Sequence, residues 1–113
     1  MISRKKNSTA PPDLQVCETF HAAIELIGKR WSGAVISVLM KGANRFKDLR
    51  DSIPGVSDRL LIERLKDLEE AGIISRTVLP SRPPQVTYNL TDKGRALTPV
   101  LEAISTWGHA WNK

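Results

Sequence analysis

Four side chains between residues 59 and 66 are spaced to act together. Arg59, Ile62, Glu63 and Lys66 recur at steps of three, one and three, the interval that sets side chains on one face of a helix. Their chemistry is mixed. A guanidinium can fork two donors onto one pair of acceptors, an aliphatic group can meet a methyl, a carboxylate can accept from an amine, and an ammonium can meet an anion. On one helix these are the contacts that read a DNA major groove. Arg59 would take a guanine, Ile62 a thymine methyl and Glu63 a cytosine amine. Lys66 would take a phosphate. Ser57 can cap the helix, and its hydroxyl and the first-turn amides can hold another phosphate. The same residues also fit an ordinary solvated helix face, so the case depends on what surrounds them.

Further cations extend the pattern. Arg82 sits among Pro80, Ser81, Pro83 and Pro84, and an Arg on a stiff loop suits a narrow minor groove. It also fits a solubilising turn residue. Arg45 and Lys47 flank Phe46 and are placed to touch the phosphate backbone or simply to be solvated. Cys17 stands just before a helical stripe, where the amides of a helix start lower a thiol pKa and make it reactive. The alternative is a small buried hydrophobe. His21 and His109 are far apart in sequence, and no zinc spacing, phosphate loop or nucleophile elbow is present. Asp67, Glu69 and Glu70 read as a solvated helix end. No catalytic residue, metal site or cofactor is expected, and the chain does not read as an enzyme. Trp31, Trp107 and Trp111 could line a ligand cage, but they read better as core and interface packing.

The elements that must carry these residues follow from periodicity. Phe20, Ala23, Ile24 and Ile27 form one face of a helix ended by Gly28. Ser32 is positioned to cap a second helix holding Val35, Ile36, Leu39 and Met40, stopped at Lys41-Gly42. Asn44 is positioned to cap a short third helix facing inward through Phe46, Leu49 and Ile53. After Pro54-Gly55, a fourth helix opens at Ser57 and runs to about Ala71, with Leu61, Leu65 and Leu68 inward and Leu60 beside them. A short helix, a three-residue turn and a longer helix give helix-turn-helix spacing. The period then changes to two. Strands around Ile74–Leu79 and Val86–Leu90, joined by a Pro-rich loop, predict a hairpin, the wing. Thr91 caps a last helix with Pro99 inside it, where a proline bends the axis. The fold class is therefore α+β, mainly α: a winged helix-turn-helix with a two-stranded wing and a C-terminal dimerisation helix. The stripe of Leu97, Leu101, Ile104 and Trp107 is wider than one small core can cover. It predicts a homodimer, with Phe20 and Ile24 as the partner surface.

Bulk properties agree. The 113 residues suit one domain, 41% hydrophobic and 26% charged. Seventeen Lys and Arg against twelve Asp and Glu leave a net charge of +5, which favours a polyanionic partner. One cysteine excludes an internal disulfide framework. Residues 1–13, with Arg4, Lys5 and Lys6, read as a flexible basic arm ahead of a domain at 14–113. The basic start is followed by no apolar segment of signal-peptide type, and no run approaches the ~20 residues that span a bilayer. A cytoplasmic location without membrane contact is expected.

The ordered motifs resemble a known family. Cys17, Gly28-Lys29-Arg30-Trp31, Arg45-Phe46-Lys47-Asp48-Leu49, Leu65-Lys66-Asp67-Leu68-Glu69 with Gly72, Pro83 or Pro84 before Val86-Thr87-Tyr88, Leu90-Thr91 with Gly94, Leu97 with Pro99, and Trp107-Gly108 are similar to those of the HxlR family. These are winged-helix regulators of bacteria and archaea, related to MarR-type regulators. The resemblance spans about residues 15–111. It implies a homodimeric transcriptional regulator on a roughly palindromic operator in double-stranded DNA. It also implies a response to a small-molecule, electrophile or oxidant effector, in some members through the cysteine matching Cys17. The absence of a second cysteine departs from some redox-sensing members. A winged-helix protein-interaction module without DNA binding is the alternative; the cations Arg59, Lys66 and Arg82 favour DNA.

Overall fold

A computed structural model describes residues 9–112. In chain order it holds α1 (Glu18–Gly28), α2 (Ser32–Met40), α3 (Phe46–Ser52), α4 (Asp58–Glu70), β1 (Ile74–Leu79), β2 (Gln85–Leu90), α5 (Asp92–Arg95) and α6 (Thr98–Trp111). A 3-10 turn at Pro12–Leu14 precedes α1, so the end of the expected arm has a defined local form. Arg4, Lys5 and Lys6 lie outside the described residues.

The core forms around α2, which is apolar on nearly every side and therefore belongs at the centre. It touches α1, α3, α4, β2 and α6. Val35, Ile36 and Leu39 from α2 meet Leu49, Ile53, Leu61, Leu65, Leu68, Ile73 and Ile74, all buried. Each such side chain contributes roughly 1.5–3 kcal/mol of burial. The expected inward faces of α2, α3 and α4 are thus the observed ones.

Two expected caps are replaced by other devices. Ser32 is the first residue of α2 and is buried, and Trp31 precedes it at φ +76°. The corner between α1 and α2 is too tight for a separate capping turn. Arg45, not Asn44, precedes α3. The Asn44 carbonyl instead accepts the Tyr88 amide at 2.8 Å, fastening β2 to the loop before α3. Ser57 does cap α4, its Oγ accepting from the Leu60 amide at 3.1 Å, a contact worth about 1 kcal/mol. The turn between α3 and α4 runs over residues 53–57, longer than the expected three, with Gly55 at φ +91°.

The hairpin has the expected pattern. Ile74 pairs with Leu90, Arg76 with Tyr88 and Val78 with Val86, so the alternating apolar residues share one face. Only Ile74 of β1 is buried, and the hairpin leaves the core as it extends towards residues 80–84.

The single final helix is corrected to two. Thr91 caps α5, accepting from the Gly94 amide. The chain then breaks at Ala96-Leu97 and restarts with Pro99 in the first turn of α6. A proline in that turn has no intrahelical hydrogen bond to lose, so it starts α6 rather than bending it. Leu97 and Leu101 pack against the core of their own chain. Beyond them Val100, Ile104, Trp107 and Trp111 remain exposed, as do Phe20 and Ile24 of α1. The expected interface stripe is accordingly graded: its first two leucines are half-buried against the protomer's core, and its distal part is exposed. Trp107 and Trp111 are not core residues within the protomer; Trp31 is half-buried against the core.

Candidate nucleic-acid interface

The α4 helix is held to the core by Leu61, Leu65 and Leu68, and successive residues turn by about 100° around its axis. That rotation leaves Arg59, Ile62, Glu63 and Lys66 exposed on the side away from the core. Ile62 is 43% exposed, an apolar side chain facing solvent among charges. Arg59 Nε lies 3.5 Å from Glu63 Oε2 one turn on, with the Arg59 side chain 88% exposed. An ion pair this open contributes less than about 1 kcal/mol. A bidentate contact to a base edge discriminates by roughly 1–3 kcal/mol, so the pair would yield to a matching base. Lys66 has no ion-pair partner among the described residues. Ser57 keeps its hydroxyl proton free to donate, its oxygen being occupied as the helix cap.

The other sequence-predicted cations are placed unequally. Arg45 Nη2 donates to Gln85 Oε1 at 2.7 Å, tying the start of α3 to the base of the wing loop. Three residues before Gln85, Arg82 is exposed in that loop. Arg45 and the wing are therefore brought to one end of the molecule. Lys47 is instead turned onto Asp51 at 3.0 Å. That ammonium holds the Asp51 carboxyl below its usual range, but both side chains are exposed, so the pair is weak enough to yield to a phosphate.

Cys17 is the residue capping position of α1 and is exposed. Among the described residues the thiol is exposed, which weighs against the buried-hydrophobe alternative. The Phe20 amide, then the Thr19 amide, lower its pKa, which raises the thiolate fraction at neutral pH. Among the described residues no group of three or more His, Cys, Asp or Glu could hold a metal.

One polar cluster escapes sequence reading. Arg64 lies three residues after Leu61 and is buried. Its Nε donates to the Arg30 carbonyl at 2.9 Å and its Nη1 to Asp67 Oδ2 at 2.6 Å. Lys29 Nζ reaches the same Asp67 oxygen at 3.0 Å. Lys29, and then Arg64, hold the Asp67 carboxyl below its usual range, so Asp67 is not the solvated helix end expected. The available signal was an Arg at a core-side helical position, where a charge must find partners.

This geometry, a helix with a solvent-facing mixed polar stripe followed by a hairpin, meets its counterpart in known proteins. Residues 26–113 match the family described as HxlR-like helix-turn-helix. The chain belongs to this family of transcriptional regulators. It is 46% identical over 92 residues to the HTH-type transcriptional regulator YodB of Bacillus subtilis strain 168, covering 81% of this chain and 82% of that protein. The crystal structure of diamide-treated YodB from B. subtilis superposes with a TM-score of 0.73 at 43% identity, over 86% of this chain and 96% of the other. The redox regulator HypR in its reduced form gives a TM-score of 0.78 at 32% identity, over 82% and 92%. The fold is the winged helix of YodB and HypR. Among the described residues no helix is long and apolar enough to cross a membrane.

Proposed function

We propose that this HxlR-family regulator binds a pseudo-palindromic DNA operator as a homodimer, reading bases with α4 and a minor groove with the wing. The reading rests chiefly on the stripe Arg59, Ile62, Glu63 and Lys66, all of them exposed on the side of α4 away from the core. Ser57, Arg45 and Lys47 hold phosphates around it, and Arg82 enters the adjacent minor groove. The partner copy covers Phe20, Ile24, Ile104 and Trp107, whose exposure in one protomer supports an unfilled interface. Such a regulator works in the cytoplasm, where its DNA is.

A gel shift against the DNA flanking its own gene tests the reading. Specific retardation over random DNA is expected; retention of a protein partner with no DNA shift would favour an interaction module. Arg59→Ala should cost roughly 1–3 kcal/mol on the specific site and relax its sequence preference. Lys66→Ala should weaken specific and random DNA alike and reduce the salt slope by about one. If Arg59→Ala leaves the ratio of specific to random binding unchanged, the assigned reading face is wrong.

We further infer that Cys17 is the sensing thiol. Its support is the exposed position at the start of α1, the amides of Phe20 and Thr19 that favour the thiolate, and the family relation to YodB and HypR. With a single cysteine per chain, diamide can link Cys17 only to the partner's Cys17 or to a small thiol; in each case two thiols lose two electrons and two protons, and diamide becomes the hydrazine. With a quinone, the thiolate sulfur instead attacks a ring carbon; the C–S bond forms as the ring takes up the electron pair and protons, giving a hydroquinone thioether. Either reagent is expected to loosen wild-type DNA binding and leave Cys17→Ser unaffected. Unchanged wild-type affinity after mass spectrometry shows full modification would overturn this assignment.

A further inference from the structure

Arg64 is the one charged side chain in the buried set of the described residues, and the proposed DNA contacts do not use it. The burial of its guanidinium is weak evidence for stability. A buried ion pair often gains no more than well-packed apolar side chains would, because desolvation offsets the attraction. What it does supply is direction. Leu61, Leu65 and Leu68 hold α4 by apolar contacts, whose burial energy carries no preferred orientation of its own. Hydrogen bonds are directional. Three of them meet here: Arg64 Nε on the Arg30 carbonyl at 2.9 Å, Arg64 Nη1 on Asp67 at 2.6 Å and Lys29 Nζ on the same Asp67 oxygen at 3.0 Å.

The place they join matters. Arg64 and Asp67 lie on the flank of α4 between the core and the reading stripe. Arg64 Nη2 is also 3.9 Å from Glu63 Oε1, and Glu63 pairs with Arg59. On the other side, Lys29 and Arg30 directly follow Gly28, the end of α1. The backbone there is tightly constrained, with Trp31 at φ +76° and the Arg30 guanidinium 5.0 Å from the Trp31 ring. The cluster therefore connects the end of α1 to α4 at the corner that opens α2.

We propose that Arg64 is a positioning residue for DNA reading: with Asp67 and Lys29 it locks the roll of α4 to α1, and so fixes the spacing and angle of the two recognition helices in the dimer. This rests on the proposed dimeric DNA reading. The two helices must meet grooves one turn, about 34 Å, apart. Each base pair added between half-sites shifts one groove along the axis and rotates it, so a locked protomer tolerates one spacing and an unlocked one several.

The test uses a duplex selected by the wild-type protein from a random-sequence pool. It is resynthesised with one base pair added or removed between the half-sites, and as a single half-site. Binding is followed by fluorescence anisotropy for wild type, Arg64→Met and Lys29→Met. Lys29 is half exposed, so its variant keeps the core intact even if Arg64→Met does not fold. The wild type is expected to lose at least about tenfold in affinity on either spacing change, given the one-turn constraint. Arg64→Met should discriminate by less than about threefold while binding the half-site within about threefold of wild type, and Lys29→Met should fall between. A folded Arg64→Met, or Lys29→Met where the former is unfolded, that keeps the full wild-type spacing preference overturns the positioning role. A wild type that selects no sequence, or ignores spacing, overturns the dimeric reading and this inference with it.

Discussion

Gly94→Ala is expected to destabilise the protein by roughly 3 kcal/mol, at the upper end of the cost of overpacking a tight site. Gly94 is buried in α5 at an ordinary helical φ, so the backbone conformation itself would accept alanine. Replacing a helical glycine by alanine normally gains about 1 kcal/mol. Here the added Cβ would penetrate the Ile73 carbonyl oxygen and sit 3.0 Å from Leu90 Cδ2 and 3.2 Å from the Ile73 carbonyl carbon. The Ile73 carbonyl cannot easily retreat, because it accepts the Thr91 amide at 3.0 Å, while the Thr91 hydroxyl donates to the neighbouring Gly72 carbonyl at 2.5 Å and holds the same turn. Thr91 in turn caps α5 through the Gly94 amide. Relief of the clash therefore breaks the joint between strand β1 and α5, and the steric effect outweighs the helical gain. Thermal unfolding should show the midpoint falling by roughly 10–20 °C. Gly28→Ala is the control, since nothing lies within 4 Å of its new Cβ. A Gly94→Ala protein that melts with the wild type would show that the backbones of Ile73 and Gly94 are not in this contact.

Ile104→Asp is expected to convert the protein to a folded monomer and to lower operator affinity at least about a hundredfold, towards the range of nonspecific binding. Ile104 is 53% exposed within the protomer, so the substitution removes little of the protomer's own packing. In the proposed dimer the same residue is covered by the partner, and an unpaired carboxylate there is costly. A dimer adds the contacts of two half-sites, whereas a monomer keeps one, which is why the loss is large although no DNA-contacting residue changes. Sedimentation velocity at micromolar concentration measures the first outcome and anisotropy on the operator the second. A wild type that sediments as a monomer, or an Ile104→Asp protein that remains dimeric, would show that α6 is not the interface.

The helix-turn-helix, its solvent-facing stripe and the wing are legible in the residues because each element is specified locally. The steps between Leu61, Leu65 and Leu68 determine which side of α4 faces inward, and hence that Arg59, Ile62, Glu63 and Lys66 face outward. The change of period at Ile74 marks the hairpin, and the hydroxyls of Ser57 and Thr91 mark two helix starts. Local pattern also sets the limits of such reading. Pro99 could equally bend a helix or begin one, and only the break at Ala96-Leu97 decides that it begins α6. Leu97, Leu101, Ile104 and Trp107 form one stripe along the chain, but the distance to α2 divides them, since the core ends before the helix does. The joining of Arg64 to Arg30 and Asp67 to Lys29 spans 34 and 38 residues. No local pattern encodes such pairs. Tertiary packing alone brings them within hydrogen-bond reach, because it is the folding of α4 across the α1–α2 corner that leaves a buried guanidinium facing a backbone carbonyl.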